Sequence, residues 1–260
     1  MGEVERKVMD EGMPEILRLV GRRLYRNLFK PIWYLYKLKT SKSSSAVPVN
    51  EDISVVQKIQ NKEQFLQTLL LRNSSKRFLE IGIGESPNIQ RIQLMQENKI
   101  MYTACDFKSV CDNHRKELES RRIATHDIRF AGNRVGSYSW TLFEMLSRNE
   151  RYDIIYLDGH HTFYIDLPAF ALAHQLLEPG GYFLVDDIKW TLEFLRETFL
   201  RSFNDWYFYR KMYNFEEYDL AQQKMPHMKM IAEQYLIKEL GYKRLDDYSM
   251  PEWWALQKPI

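Results

Sequence analysis

The chain has little cysteine, no excess of either charge and no long apolar run, and each absence removes a class of protein. Two cysteines in 260 residues, Cys105 and Cys111, cannot build a disulfide framework. They fit a reducing compartment, so a cytoplasmic location is expected. Lys and Arg number 37 against 35 Asp and Glu, a formal charge of +2. That balance gives no bulk electrostatic reason to expect a nucleic-acid partner. No stretch reaches the roughly 18 uninterrupted apolar residues of a membrane-spanning helix. The opening MGEVERKVMDEG is charged and lacks an apolar centre, so it does not read as a signal peptide. Gly2 is followed by Arg6 where a myristoylation motif needs Ser or Thr. No internal repeat is found.

What is present is apolar content enough for a real core (45% hydrophobic) and many aromatics: 16 Tyr, 14 Phe and 6 Trp. The length suits one α/β domain with an N-terminal extension. Residues 1–50 read as a helical arm and linker. Within 13–39, Ile16, Leu17, Val20, Leu24 and Leu28 recur at helical spacing, with Arg18, Arg22, Arg23 and Arg26 between them. Three readings of this basic amphipathic segment stay open: peripheral contact with an anionic membrane surface, an arm of a homo-oligomer, or a helix docked on its own domain. The Ser-rich 40–50 reads as the linker, and 51–73 is helical by pattern.

From residue 76 short apolar strands alternate with helical stretches: RFLEI, MYTAC, YDIIYL and GYFLV. That alternation predicts a doubly wound, mostly parallel sheet covered on both faces. A third strand is expected at 128–130, and YKRLDDYS and WWALQKP can supply an antiparallel pair at the end. The first strand runs into Gly82-Ile83-Gly84, a turn that lets a ligand approach the backbone. The second ends in Asp106, about 22 residues past Gly84, a spacing that suits a carboxylate accepting from ribose hydroxyls. The third glycine of the dinucleotide fingerprint falls on Pro87, and no GK[ST] follows. A ligand with a ribose but no pyrophosphate fits better. Glu80, just before the glycines, adds a carboxylate for a cationic or amino-acid-like group.

A second constellation is sharper. One strand ends in Asp158-Gly159-His160-His161, and the next, after Glu178-Pro179-Gly180-Gly181, ends in Asp186-Asp187. If those strands are neighbours, the three aspartates converge, and unpaired carboxylates so close call for a cation. Oxygen-only ligation suits Mg²⁺ or another hard divalent ion. His160 beside such an ion is placed to accept a proton from an acceptor hydroxyl. Asp187 has a plainer reading as the N-cap of a helix over 188–200, and His161 reads as structural or at the substrate edge.

These motifs resemble the class I S-adenosylmethionine-dependent methyltransferases: an acidic residue and Gly-x-Gly after the first strand, then DGHH, EPGG and VDDI in order over roughly 76–190. The later motifs are similar to the metal-dependent small-molecule and sugar O-methyltransferases. The resemblance implies a seven-stranded Rossmann-like sheet and S-adenosylmethionine bound at Glu80, Gly82, Gly84 and Asp106. It also implies a divalent cation, Mg²⁺ first, at Asp158, Asp186 and Asp187, with His160 as the catalytic acid/base. The family's sugar enzymes often carry Asp at that last position, so His160 is a departure. The expected acceptor is a hydroxyl of a small molecule or glycan. The aromatic-rich stretch near 205–227 follows the metal motif and reads either as a substrate lid or as core packing. Two other classes compete: a nucleotide-dependent oxidoreductase or sugar-modifying enzyme on a related fold, and a non-catalytic membrane or assembly module using the basic arm.

Overall fold

The computed structural model describes residues 63–70, 76–133, 137–199, 213, 215–246 and 249–260. The basic arm at 13–39, the linker, and residues 205–212 and 214 of the aromatic stretch lie outside them, and with the arm the membrane and oligomer expectations. Five parallel strands form the centre: β1 (Arg77–Ile81), β2 (Met101–Phe107), β3 (Ile128–Asn133), β4 (Tyr152–Leu157) and β5 (Leu177–Val185). The final pair, β6 (Lys243–Arg244) and β7 (Trp254–Gln257), is antiparallel, with β7 against β5. The order β3-β2-β1-β4-β5-β7-β6 makes a seven-stranded sheet of the expected kind.

The central strands β1 and β4 are buried on both faces because both faces are covered. On β1 and β4, Leu79, Ile81, Ile155 and Leu157 face one layer. That layer comprises α4 (Tyr138–Ser147), α5 (Phe163–Leu176) and α8 (His227–Ile231), whose π-helical extension runs over Ala232–Glu239. Leu142, Phe170, Met228 and Leu236 meet the sheet there. The alternate residues Phe78, Ile154 and Tyr156 face α1 (63–70), α2 (Ile89–Glu97) and α3 (Lys108–Ser120), meeting Phe65, Leu69, Met95 and Leu118. Burying one such side chain fully contributes roughly 1.5–3 kcal/mol. Cys105 and Cys111 are both buried and unbridged. Among the described residues no helix is long and apolar enough to cross a membrane.

Between β1 and its neighbours β2 and β4 the strand order reverses direction. Such a switch point opens a crevice beyond the carboxyl ends of the strands.

Candidate active site

Three strand ends are stitched together one residue beyond the ladder. Gly82 N donates to Cys105 O (2.9 Å), Asp158 N to Ile81 O (2.9 Å) and Asp186 N to Leu157 O (2.9 Å). Leu157 is in register with Val185, so the residues that follow β4 and β5 are held side by side. Gly82 sits at φ +80°, and a Cβ there would lie 1.8 Å from Asp158 O. Only glycine lets β1 leave the sheet this close to the end of β4. Gly84, at φ +68°, has open space where a side chain would stand.

Asp106 ties this loop down. Its Oδ2 accepts from Ile83 N (3.0 Å) and its Oδ1 from Phe107 N (2.6 Å), while His114 Nε2 meets Gly84 O at 2.9 Å. Burial raises the Asp106 pKa, against the pull of those backbone donors. Each of its oxygens has a second lone pair, which leaves acceptor capacity for a ribose. The loop enters α2 through a buried Pro87 and Asn88, whose side chain caps the helix by accepting from Arg91 N (3.0 Å). The cap occupies the position from which a phosphate would be gripped.

Glu80 is not brought to this edge. It lies on the α1/α2 face of β1, 5% exposed, where Arg91 Nη1 donates to one oxygen and Tyr102 Oη to the other, both at 2.7 Å. Arg91 forks to a second carboxylate, Glu63 (2.7 Å), and covers the ring of Tyr156. The alternation of β1 dictates this: with Leu79 and Ile81 inward on one face, Glu80 must turn to the other. It anchors α1 and α2 to the strand.

The acidic cluster differs by one member from the expected set. Single ligand atoms of Asp158, His161 and Asp187 lie within 4.8 Å of one another. His161 Nε2 stands 3.7 Å from Asp158 Oδ1 and 3.6 Å from Asp187 Oδ2. Asp186, adjacent in sequence, is outside that set: Tyr156 Oη donates to its Oδ2, and its Oδ1 accepts from Asp187 N (3.0 Å). It holds the backbone of Asp187 in place. Asp187 itself is at φ +47° and His161 at φ +64°, costly conformations for residues with a Cβ. The N-cap reading of Asp187 is corrected: α6 spans Leu192–Phe199, and Thr191 Oγ1 caps it by accepting from Phe194 N (3.0 Å). The carboxylate of Asp187 is thereby left facing the cluster.

His160 points elsewhere in the same loop. Its Nδ1 is 3.0 Å from Thr162 Oγ1, and its ring lies 4.5 Å from that of Tyr213. Burial pushes the pKa of both imidazoles down to about 4, so both are neutral at ordinary pH. Beneath them Asp166, fully buried on α5, collects the loop: it accepts from His160 N (3.1 Å), Thr162 N (2.8 Å) and the Tyr138 hydroxyl. Desolvation raises its pKa to about 6 despite those donors. Of the aromatic stretch, Tyr213, Phe215 and Tyr218 pack with Leu192 and Leu195 into a small separate core beside this loop.

Asp166, Tyr156 and Arg91 are not singled out by sequence alone, and His161 is read there only as structural or at the substrate edge. One signal was available for Asp166: a carboxylate on the apolar face of an otherwise apolar helix, four residues past Thr162. None was available for the side-chain choice between Asp186 and His161, because it depends on a tyrosine from another strand.

The sheet order, with β7 reversed, is that of the S-adenosylmethionine-dependent methyltransferases, and comparison with solved structures agrees. No family model and no curated protein sequence matches this chain. A Staphylococcus aureus protein described as a caffeoyl-CoA O-methyltransferase superposes at TM-score 0.50 and 16% identity, over 87% of this chain and 98% of that one. An S-adenosylhomocysteine-bound methyltransferase of Podospora anserina gives TM-score 0.50 at 10% identity, over 84% of this chain and all of that one (100%). At identities this low the likeness shows the fold alone.

Proposed function

We propose that this chain is an S-adenosylmethionine-dependent methyltransferase that acts on a hydroxyl of a small molecule or sugar with the help of a divalent cation. One observation carries the reading. The Gly82–Gly84 loop tied to Asp106 and the Asp158–Asp187 carboxylate pair stand at adjoining strand ends, on the carboxyl edge where this fold opens its crevice. The nucleotide-dependent oxidoreductase alternative loses ground because Asn88 caps α2 and Pro87 removes an N–H from the turn, which leaves no seat for a pyrophosphate.

S-adenosylmethionine would supply the methyl group. Asp106 would accept from its ribose, and Gly84 would let it approach the backbone. Two carboxylates facing one gap fit a cation, since together they repel unless one is neutralised. Asp158 and Asp187 would hold it, with Asp186 supporting Asp187 through the backbone N–H. Bound there, a dication would lower the pKa of an acceptor hydroxyl. His160, with Nδ1 on Thr162, can present Nε2 as the proton acceptor. A neutral imidazole with so low a pKa is a weak base, so it suits a hydroxyl that is already acidified.

The test is methyl transfer from labelled S-adenosylmethionine to a panel of hydroxylated acceptors, alongside calorimetric titration of the donor. Binding of the donor, its loss of at least about tenfold in Asp106→Ala, and methyl transfer sensitive to EDTA are expected. His160→Ala should lower kcat by roughly 10²–10⁴ while leaving donor binding intact. A folded chain that does not bind the donor overturns the reading, and full activity in EDTA removes the cation from it.

A further inference from the structure

We infer that His161 is a ligand of the cation site: its Nε2, with one oxygen each from Asp158 and Asp187, makes a mixed nitrogen–oxygen centre suited to a first-row transition-metal dication rather than to Mg²⁺. The inference rests on the cation in the proposed function but not on methyl transfer.

His161 is buried, with 7% of its side chain exposed. Nδ1 has no partner among the described residues. Nε2 faces Asp158 Oδ1 at 3.7 Å and Asp187 Oδ2 at 3.6 Å, both beyond hydrogen-bonding range. Buried polar groups are nearly always paired, so a buried ring set back equally from two carboxylates needs an explanation. Donors on one small dication at roughly 2.1 Å stand roughly 3–4 Å apart, the separation of Nε2 from each carboxylate oxygen, and all three atoms are gathered within 4.8 Å. A cation between them would use the Nε2 lone pair and neutralise both carboxylates. The proton would then stay on Nδ1.

The backbone around the site is built for this placement. His161 sits at φ +64° and Asp187 at φ +47°. Asp166 receives the N–H groups on either side of His161, and the Trp190 ring packs on the imidazole at 4.8 Å. Asp186, which would complete an all-oxygen set, already accepts from the Tyr156 hydroxyl and from Asp187 N. Replacing one carboxylate by an imidazole lowers the charge of the site and adds a borderline nitrogen donor. Both changes move preference away from Mg²⁺, which favours oxygen-only shells and keeps its water.

The experiment titrates the full-length chain with Mn²⁺, without donor or acceptor, and reads it by electron paramagnetic resonance with detection of nitrogen coupling. Stoichiometric Mn²⁺ binding with an imidazole nitrogen coupling is expected, together with competition by Co²⁺ at lower concentration than by Mg²⁺. His161→Asn should abolish the coupling and weaken Mn²⁺ binding at least about tenfold; asparagine tolerates the left-handed backbone there, so the loop can keep its course. Asp186→Asn should keep the coupling. Mn²⁺ bound without nitrogen coupling, coupling that survives His161→Asn, or no Mn²⁺ binding at all each overturns the inference. Methyl transfer failing while the coupling is present would overturn only the proposed reaction.

Discussion

Two charged clusters lie on the same sheet a few residues apart, and they are built on opposite principles. Around Arg91, charges touch: its guanidinium forks to Glu80 and Glu63 at 2.7 Å each, and Tyr102 closes the second oxygen of Glu80. Around His161, charges stand apart, with Nε2 3.6–3.7 Å from two carboxylates that are partly open to solvent. Contact means that the protein supplies its own counter-charge, so the cluster is an internal clamp. Separation leaves a gap between the groups, which a cation would fill in the proposed function. Sequence position does not distinguish the two, since Glu80 and Asp158 are both carboxylates within two residues of the last residue of a strand. Distance and burial do.

The comparison is most sharply broken at Arg91. Arg91→Ala leaves Glu80 and Glu63 buried without a counter-charge, and should cost about 3–5 kcal/mol of unfolding free energy in urea titration. Asp158→Asn removes one of two facing carboxylates and should leave stability unchanged or slightly higher while weakening cation binding. A loss of under about 1 kcal/mol in Arg91→Ala would mean that the clamp is not structural, and the contrast would fail.

The sequence made the scaffold legible because parallel strands buried on both faces have an unmistakable apolar text, and because Gly82, Gly84, Asp106 and Asp158 mark strand ends. The helix start after Asp187 was harder to read, since 188–191 could as well have been its first turn; the backbone turns left-handed at Asp187 instead, and Ile188 N binds Glu252 O at 2.7 Å. Glu80 and Asp186 have partners that the local sequence does not show. Each has a tyrosine on the neighbouring strand, Tyr102 in β2 and Tyr156 in β4, whose hydroxyl takes the carboxylate. Cross-strand partners depend on register, and register is not written locally. Within the clusters, Tyr156 links the two, with Arg91 over its ring and Asp186 at its hydroxyl. Tyr156→Phe should therefore cost roughly 1–3 kcal/mol, because the Asp186 carboxylate loses a buried donor, and the Mn²⁺ affinity should fall less than in His161→Asn.

A third pairing sharpens the contrast from the solvent side. Glu150 lies before β4 and receives Arg129 Nη1 at 2.5 Å, Arg129 Nη2 at 2.9 Å, Arg148 Nε at 2.9 Å and Tyr152 Oη at 2.9 Å. Partial burial opposes its charge, but the donors from Arg129, Arg148 and Tyr152 win and hold its pKa down at about 2, from 4.5. A carboxyl with a lowered folded-state pKa stabilises fully above its unfolded value, and loses that contribution as the pH falls through the folded value. The Arg129 and Arg148 ends are half exposed, so water screens the pairs and the contribution is at most about 1 kcal/mol. Urea midpoints of wild type and Glu150→Gln should differ at pH 7, draw together between pH 4.5 and pH 2, and coincide below. A gap independent of pH would show that Glu150 acts through packing, and would leave charge contact as a stabilising principle only where, as at Arg91, the charges are buried.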